Sequence, residues 1–242
     1  TEITILADEL VLLRAEGEGI GELNYFWGES FEYDGVMYDE VAGTMKSLQD
    51  LKYFSSLKEI SIAFQRELDF NTIPEELYKR IEIVDIYACD LEDISFLGNF
   101  ENLRVVYIST NKIYDLSPLK GKSKLAYLDF SWNEVDNLTP LSSLNSLKWL
   151  SAYGNKISDL TPLSGLTNLE EISFYENLIE DISPLKEMKT LKRVELINNQ
   201  IKDVSPLKDF ENFEELRLSG NPITNLEVLS HIPNLEYEAE YP

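Results

Sequence analysis

Hydrophobic positions along this chain recur in a fixed frame. From Leu57 onward the frame reads L-x-x-L-x-L-x-x-N-x-I-x-D-L-S/T-P-L, and it returns every 22 residues through Asn111, Asn133, Asn155, Asn177, Asn199 and Asn221. Self-similarity at this period predicts a solenoid, in which one supersecondary unit stacks on the next. Leu147, Leu150, Ala152, Asn155, Ile157, Asp159, Leu160, Thr161, Pro162 and Leu163 make one full copy. Cys89 stands one period before Asn111, and Gln65 stands 24 residues before Cys89. Full units begin at Leu57, Ile81, Leu103, Leu125, Leu147, Leu169, Leu191 and Phe213. A partial unit with Met45, Leu48, Leu51 and Phe54 precedes them, and another starts at Leu235.

Each position in the frame has a physical job. The L-x-x-L-x-L run predicts a short strand whose leucines alternate into the core. The Asn at position nine is expected to turn inward and bond the backbone of the bend, since a buried amide must be satisfied. The D-L-S/T-P-L segment predicts a tight helical turn on the opposite face. In it Ser or Thr reads as the N-cap and the proline as the first helical residue. Pro118, Pro140, Pro162, Pro184 and Pro206 hold that place. One unit cannot bury its own apolar edge, but stacked units share one core.

This pattern resembles the leucine-rich repeat, in which position nine admits Asn or Cys, so Cys89 obeys the rule. The fold class expected is α/β: a leucine-rich-repeat solenoid with a curved parallel concave sheet, convex short 3-10 or helical turns, and a small N-terminal cap. The unit ending in D-L-S/T-P-L also resembles the internalin family of bacterial surface proteins. The likeness is close over residues 81–230 and looser over 43–80. The protein phosphatase 1 regulator has similar units with a less regular S/T-P-L step. The internalin resemblance implies a monomeric, secreted or surface-displayed bacterial adhesin whose partner is a host-cell receptor.

The first 45 residues differ. They hold eleven acids and one base, Arg14. Short β-branched and aromatic runs at 3–6, 10–13, 23–27 and 31–38, with turn sequences at 16–21 and 33–35, predict a β-rich element that covers the open edge of the first repeat. A single helix over 8–14 is the alternative. The chain thus divides into an acidic cap (1–45), a solenoid of about eight full repeats (46–234) and a C-terminal end (235–242).

Composition narrows the function. The 242 residues carry 21 basic and 44 acidic side chains, a net charge of −23. A nucleic-acid binder needs phosphate-neutralising cations, so that class is excluded, and docking onto anionic lipid is disfavoured for the same reason. No apolar stretch reaches the roughly 20 residues of a membrane helix, and no secretory signal opens the sequence. One cysteine, Cys89, and one histidine, His231, exclude a disulfide framework and histidine- or cysteine-rich metal sites. No phosphate-cradling glycine loop or H-E-x-x-H motif is present. Neither catalysis, a cofactor nor a metal is expected. The acidic column Asp93, Asp115, Asp159, Asp181 and Asp203 reads as turn formation in each copy.

The informative residues occupy the variable positions three, five, seven and eight, which should face the concave side. Aromatic and acidic side chains cluster there at mid-solenoid. The candidate partner-binding set is Tyr87, Tyr107, Tyr127, Asp129, Trp132, Trp149, Tyr153, Glu171 and Tyr175, with Asp85 and Glu176 among them. Tyr and Trp dominate interface hot spots. Eight strands at about 4.8 Å give a face on the order of 35–40 Å long, enough for a standard protein interface. The expectation is a non-enzymatic module gripping a protein on this face. Mutual packing of the rings and carbohydrate stacking are the lesser readings of the same residues. The alternative function is a cytoplasmic acidic inhibitor, of the immunity type, that binds a basic toxin or enzyme.

Overall fold

The structure is a computed structural model that describes residues 46–54, 56–211 and 213–238, together with the backbone of the strands within 2–6, 9–14, 24–25, 30–33 and 36–39. The strands in chain order are β1 (Glu2–Leu6), β2 (Glu9–Arg14), β3 (Asn24–Tyr25), β4 (Ser30–Tyr33), β5 (Val36–Asp39), β6 (Glu59–Ala63), β7 (Ile83–Tyr87), β8 (Val105–Tyr107), β9 (Tyr127–Asp129), β10 (Trp149–Ser151), β11 (Glu171–Ser173), β12 (Arg193–Glu195), β13 (Glu215–Arg217) and β14 (Leu235–Glu236). Strands β6 to β14 lie side by side in chain order and pair in parallel, one per repeat. They form one open curved sheet, as the repeat predicts.

Pairing runs without slippage. Position three of one unit meets position three of the next, from Glu59↔Ile83 through Tyr127↔Trp149 to Arg193↔Glu215. The 22-residue spacing enforces this from β7 to β13, because a one-residue slip would turn each leucine out of the core; the last step is shorter, so Leu235, expected to open a partial unit, instead meets Leu216 at position four. The core positions of one copy, Leu147, Leu150, Ala152, Ile157, Leu160 and Leu163, are all buried, as are Phe100, Phe130 and Phe174. Each such side chain contributes about 1.5–3 kcal/mol relative to exposure.

The position-nine amides form a ladder through the core. Asn155 Nδ2 donates to the carbonyls of Phe130, Ala152 and Tyr153 at 3.1, 3.2 and 3.0 Å, while its Oδ1 accepts the amide of Val135 at 3.0 Å. Asn111, Asn133, Asn177, Asn199 and Asn221 repeat the arrangement. Cys89 continues it with sulfur: its Sγ faces the Tyr87 carbonyl at 3.3 Å and accepts the Gln65 amide at 3.4 Å.

The convex turns are 3-10 helices such as Ser117–Leu119, Thr139–Leu141, Thr161–Leu163 and Ser205–Leu207. Their caps differ from the sequence reading. The Ser or Thr is the first helical residue, and the apolar residue before it occupies the N-cap without a side-chain bond. The acceptor is the Asp or Asn one step further back. Asp115 Oδ1 takes the Ser117 amide at 2.8 Å, and Asp159 Oδ1 the Thr161 amide at 2.8 Å. The Asp column is therefore a set of Asx turns.

Five strands fall within residues 1–45. β1 pairs in parallel with β6 and so lengthens the main sheet, and β2 pairs antiparallel on the outside of β1. The segment 9–14 is a strand, not the helix allowed as an alternative. β3, β4 and β5 form a separate antiparallel sheet.

Candidate functional site

The concave face is built by strand alternation. In β9, Leu128 points into the core while Tyr127 and Asp129 point outward. Because the register is exact to the residue, like positions fall into rows across the sheet. Position three gives Glu59, Ile83, Val105, Tyr127, Trp149, Glu171, Arg193 and Glu215, and position five gives Ser61, Asp85, Tyr107, Asp129, Ser151, Ser173, Glu195 and Arg217.

Of the candidate residues, Tyr127 and Trp132 stand out furthest, at 42% and 36% exposure. Tyr87, Tyr107, Trp149, Tyr153 and Tyr175 are half-buried. Several rings pack edge to face, as the lesser reading allowed. Tyr107 meets Trp149 with centroids 6.1 Å apart, and Tyr153 meets Tyr175 at 6.3 Å. Phe64 meets Tyr87 in the same way at 5.6 Å. Beneath them lies a floor of small residues: Ser131 and Ser151 bond hydroxyl to hydroxyl at 2.8 Å, and Ser131 Oγ accepts the Tyr153 amide at 3.1 Å.

One feature of this rim escaped the sequence reading. The residue at position eight has positive φ in every unit: Phe64, Ala88, Thr110, Trp132, Gly154, Glu176, Asn198 and Gly220. The left-handed step turns the chain out of the strand towards the Asn. Only two units use glycine there, so composition gave no signal.

The acids of the face fall into two groups. At the C-terminal end they are paired with arginines of the same sheet. Arg193 contacts Glu171 and Glu214, and Arg217 reaches Glu215 at 2.6 Å, Glu236 at 3.2 Å and Glu195 at 3.5 Å. Glu171, Arg193, Glu195, Glu215 and Arg217 line a shallow recess of about 120 Å³ with Trp149 and Tyr153. Mid-sheet, Asp85 and Asp129 flank Tyr107 in register. Burial pushes the Asp85 carboxyl up to about 6, opposed by a hydrogen bond from Ser61 Oγ at 3.3 Å and reinforced by the charge of Asp129. Burial raises Asp129 too, and burial with both carboxylates raises the Tyr107 phenol.

Other chemistry is thin. Cys89 is buried, and burial pushes its thiol up to about 12. His231 is exposed, with Nε2 at 3.0 Å from the Phe210 carbonyl. Among the described residues, no group of three or more His, Cys, Asp or Glu is placed to hold a metal. None of the described helices is long and apolar enough to cross a membrane.

A parallel one-strand-per-unit sheet, a buried Asn ladder and convex 3-10 turns together define a leucine-rich-repeat solenoid. The family model described as Leucine Rich repeats matches two stretches, residues 145–187 and 189–237. Among solved structures, the chain is similar to an internalin (inlF) from Listeria monocytogenes, with 26% identity over 81% of this chain and a TM-score of 0.71. It spans 57% of that protein's length. An internalin C2 from the same organism is 28% identical over 62% of this chain and 77% of its own, with a TM-score of 0.51. A Leptospira interrogans leucine-rich-repeat protein shares the fold at 21% identity, over 83% of this chain and 53% of its own, with a TM-score of 0.67. No curated protein matches the chain at a significant level. The chain is a leucine-rich-repeat solenoid similar to these internalins.

Proposed function

We propose that this protein is a non-enzymatic binding module that grips a folded protein partner on its concave face, through Tyr107, Tyr127, Trp132, Trp149 and Tyr153 with the acids among them. The solenoid fold is commonly a protein–protein interaction module. The observation that carries the reading is the exposure of Tyr127 and Trp132 over a serine floor. Neither ring is needed by the core, which is complete without them, and large rings held rigidly at the centre of a face are what interface hot spots use. The internalin-like repeats support a bacterial protein at or beyond the cell surface with a host-cell receptor as partner. The first strands act as a cap, with β1 satisfying the edge of β6 that would otherwise lie open. The net charge of −23 supports a second reading, a cytoplasmic inhibitor of a basic toxin or enzyme.

The test is affinity capture with the protein and its Tyr127→Ala/Trp132→Ala variant as paired baits. Each is exposed to host-membrane extract and to extract of the producing bacterium. A host-membrane partner retained only by the unmutated bait supports the adhesin reading. A basic partner from the producer's extract supports the inhibitor reading. Equal retention by both baits overturns the concave grip.

A further inference from the structure

Asp85 and Asp129 differ from Glu171, Glu195 and Glu215 on the same concave face. Glu171, Glu195 and Glu215 are answered by Arg193 and Arg217. Among the described residues no cation reaches Asp85 or Asp129. Among the described residues, the groups around Asp85 are Glu59 and Ser61 on β6, Tyr87 on its own strand, Tyr107 on β8, and Tyr127 and Asp129 on β9, all acidic or neutral. Asp85 Oδ2 takes the Ser61 hydroxyl, and among the described residues no hydrogen bond reaches Oδ1. Asp129 Oδ1 takes the Ser131 amide at 2.8 Å, and the hydroxyls of Ser131 and Ser151 also hydrogen-bond this carboxylate. Both carboxylates therefore keep acceptor capacity beside the Tyr107–Trp149 ring pair. They sit two strands apart, about 10 Å, with Tyr107 between them.

We propose that Asp85 and Asp129, on either side of Tyr107, seat one basic side chain of the protein partner, while the self-paired C-terminal half of the face takes none. This rests on the concave-grip reading and adds the chemistry of its centre. A partly desolvated carboxylate binds a cation more strongly than one in water, and ring faces add a cation–π contribution. Arginine is the preferred guest, because its planar fork serves carboxylates and rings together. The charge of the seat supports the choice: burial holds both carboxyls above their usual range, the charge of Asp129 adds to the shift of Asp85, and an incoming cation offsets that repulsion.

The probe is the peptide acetyl-Gly-Arg-Gly-amide against its citrulline counterpart, which keeps the shape and loses the charge. Carboxyl carbon NMR of the protein at pH 7.5 reads the contact. The arginine peptide shifts the Asp85 and Asp129 signals with a dissociation constant of about a millimolar. It also lowers the Asp85 titration midpoint. The citrulline peptide binds about tenfold more weakly or worse. Asp85→Asn weakens the arginine peptide about fivefold or more, and Glu195→Gln leaves it unchanged. Equal binding of the two peptides, or shifts confined to Glu171, Glu195 and Glu215, overturns the proposal. The Asp85 midpoint is read on the unmutated protein, so an unmoved midpoint counts against the seat even if Asp85→Asn misfolds. Failure of the Tyr127→Ala/Trp132→Ala capture with an intact arginine response removes the grip and keeps the seat. The opposite pattern removes the seat alone.

Discussion

The six-membered ring of Trp132 stands where a Cβ on Gly154 would be. Both residues are at position eight of consecutive units, with φ of 54° and 57°. The same backbone shape is adopted by Ala88, Thr110 and Glu176, so conformation alone does not demand glycine at residue 154. The indole does. An exposed ring is thus held in place by the absence of a side chain in the next repeat.

Gly154→Ala is expected to destabilise the protein by about 1–3 kcal/mol and to displace the indole. Trp132→Ala in the same chain should return the larger part of that loss. Urea unfolding of the two single variants and the double variant measures the coupling, which should be about 1 kcal/mol or more. Additive effects would mean that Trp132 does not rest on Gly154.

Asn155→Ala should cost about 2–4 kcal/mol. It removes the donor that serves three carbonyls and the acceptor of the Val135 amide, all within the core. Asp159→Ala removes an exposed turn acceptor in the same repeat and should cost only about 0.5–1 kcal/mol. Thermal unfolding of the two variants ranks the buried ladder against the surface turn.

Asp85 makes stability depend on pH with a defined sign. Its folded-state value is raised to about 6 from 3.8, so between these values the folded protein holds more protons than the unfolded chain. Stability attributable to this residue falls as pH rises through that window, and the cost is fully present above it. Asp85→Asn should therefore stabilise the protein by about 1–3 kcal/mol at pH 7.5 relative to its effect at pH 4. Urea unfolding at the two pH values gives the difference. An effect independent of pH would show that Asp85 is solvated.

Cys89 should resist thiol reagents in the folded protein. It is 3% exposed, and burial keeps the thiol protonated up to about 12. Reaction with a disulfide reagent at pH 8 should proceed at the rate of global unfolding and become immediate in 6 M guanidinium as a chosen denaturing condition, about the level that unfolds most domains. Cys89→Asn should be tolerated, because the position already occupies the amide ladder between Gln65 and Asn111.

Much of the architecture was legible because it is repeated. Leu150, Asn155 and Ile157 mean little alone, but their return at one spacing requires a strand, a bend and a shared core in every unit. The concave rows followed too, since alternation in a short strand leaves two outward positions. The cap was misread at Thr161 and its equivalents: Asp159 and Thr161 both accept amide bonds readily, and only the traced turn shows which side chain does so. The candidate rings were found as a set, but their states were not. Nothing in the sequence separates Tyr127, open to solvent, from Tyr107, folded against Trp149 two strands away.

The sequence by itself determined the solenoid, the parallel sheet, the amide ladder and the list of residues on the concave face. These follow from spacing along the chain, and spacing is a local property. Only the tertiary structure decided that Trp132 rests on Gly154, that Arg193 and Arg217 pair with the C-terminal acids, that Asp85 and Asp129 are left beside Tyr107 without such a partner among the described residues, and that β1 joins β6. Those relations depend on which side chain in one repeat meets which in the next, or on a strand from outside the repeats. A periodic pattern carries no information about either, because it is the same in every unit.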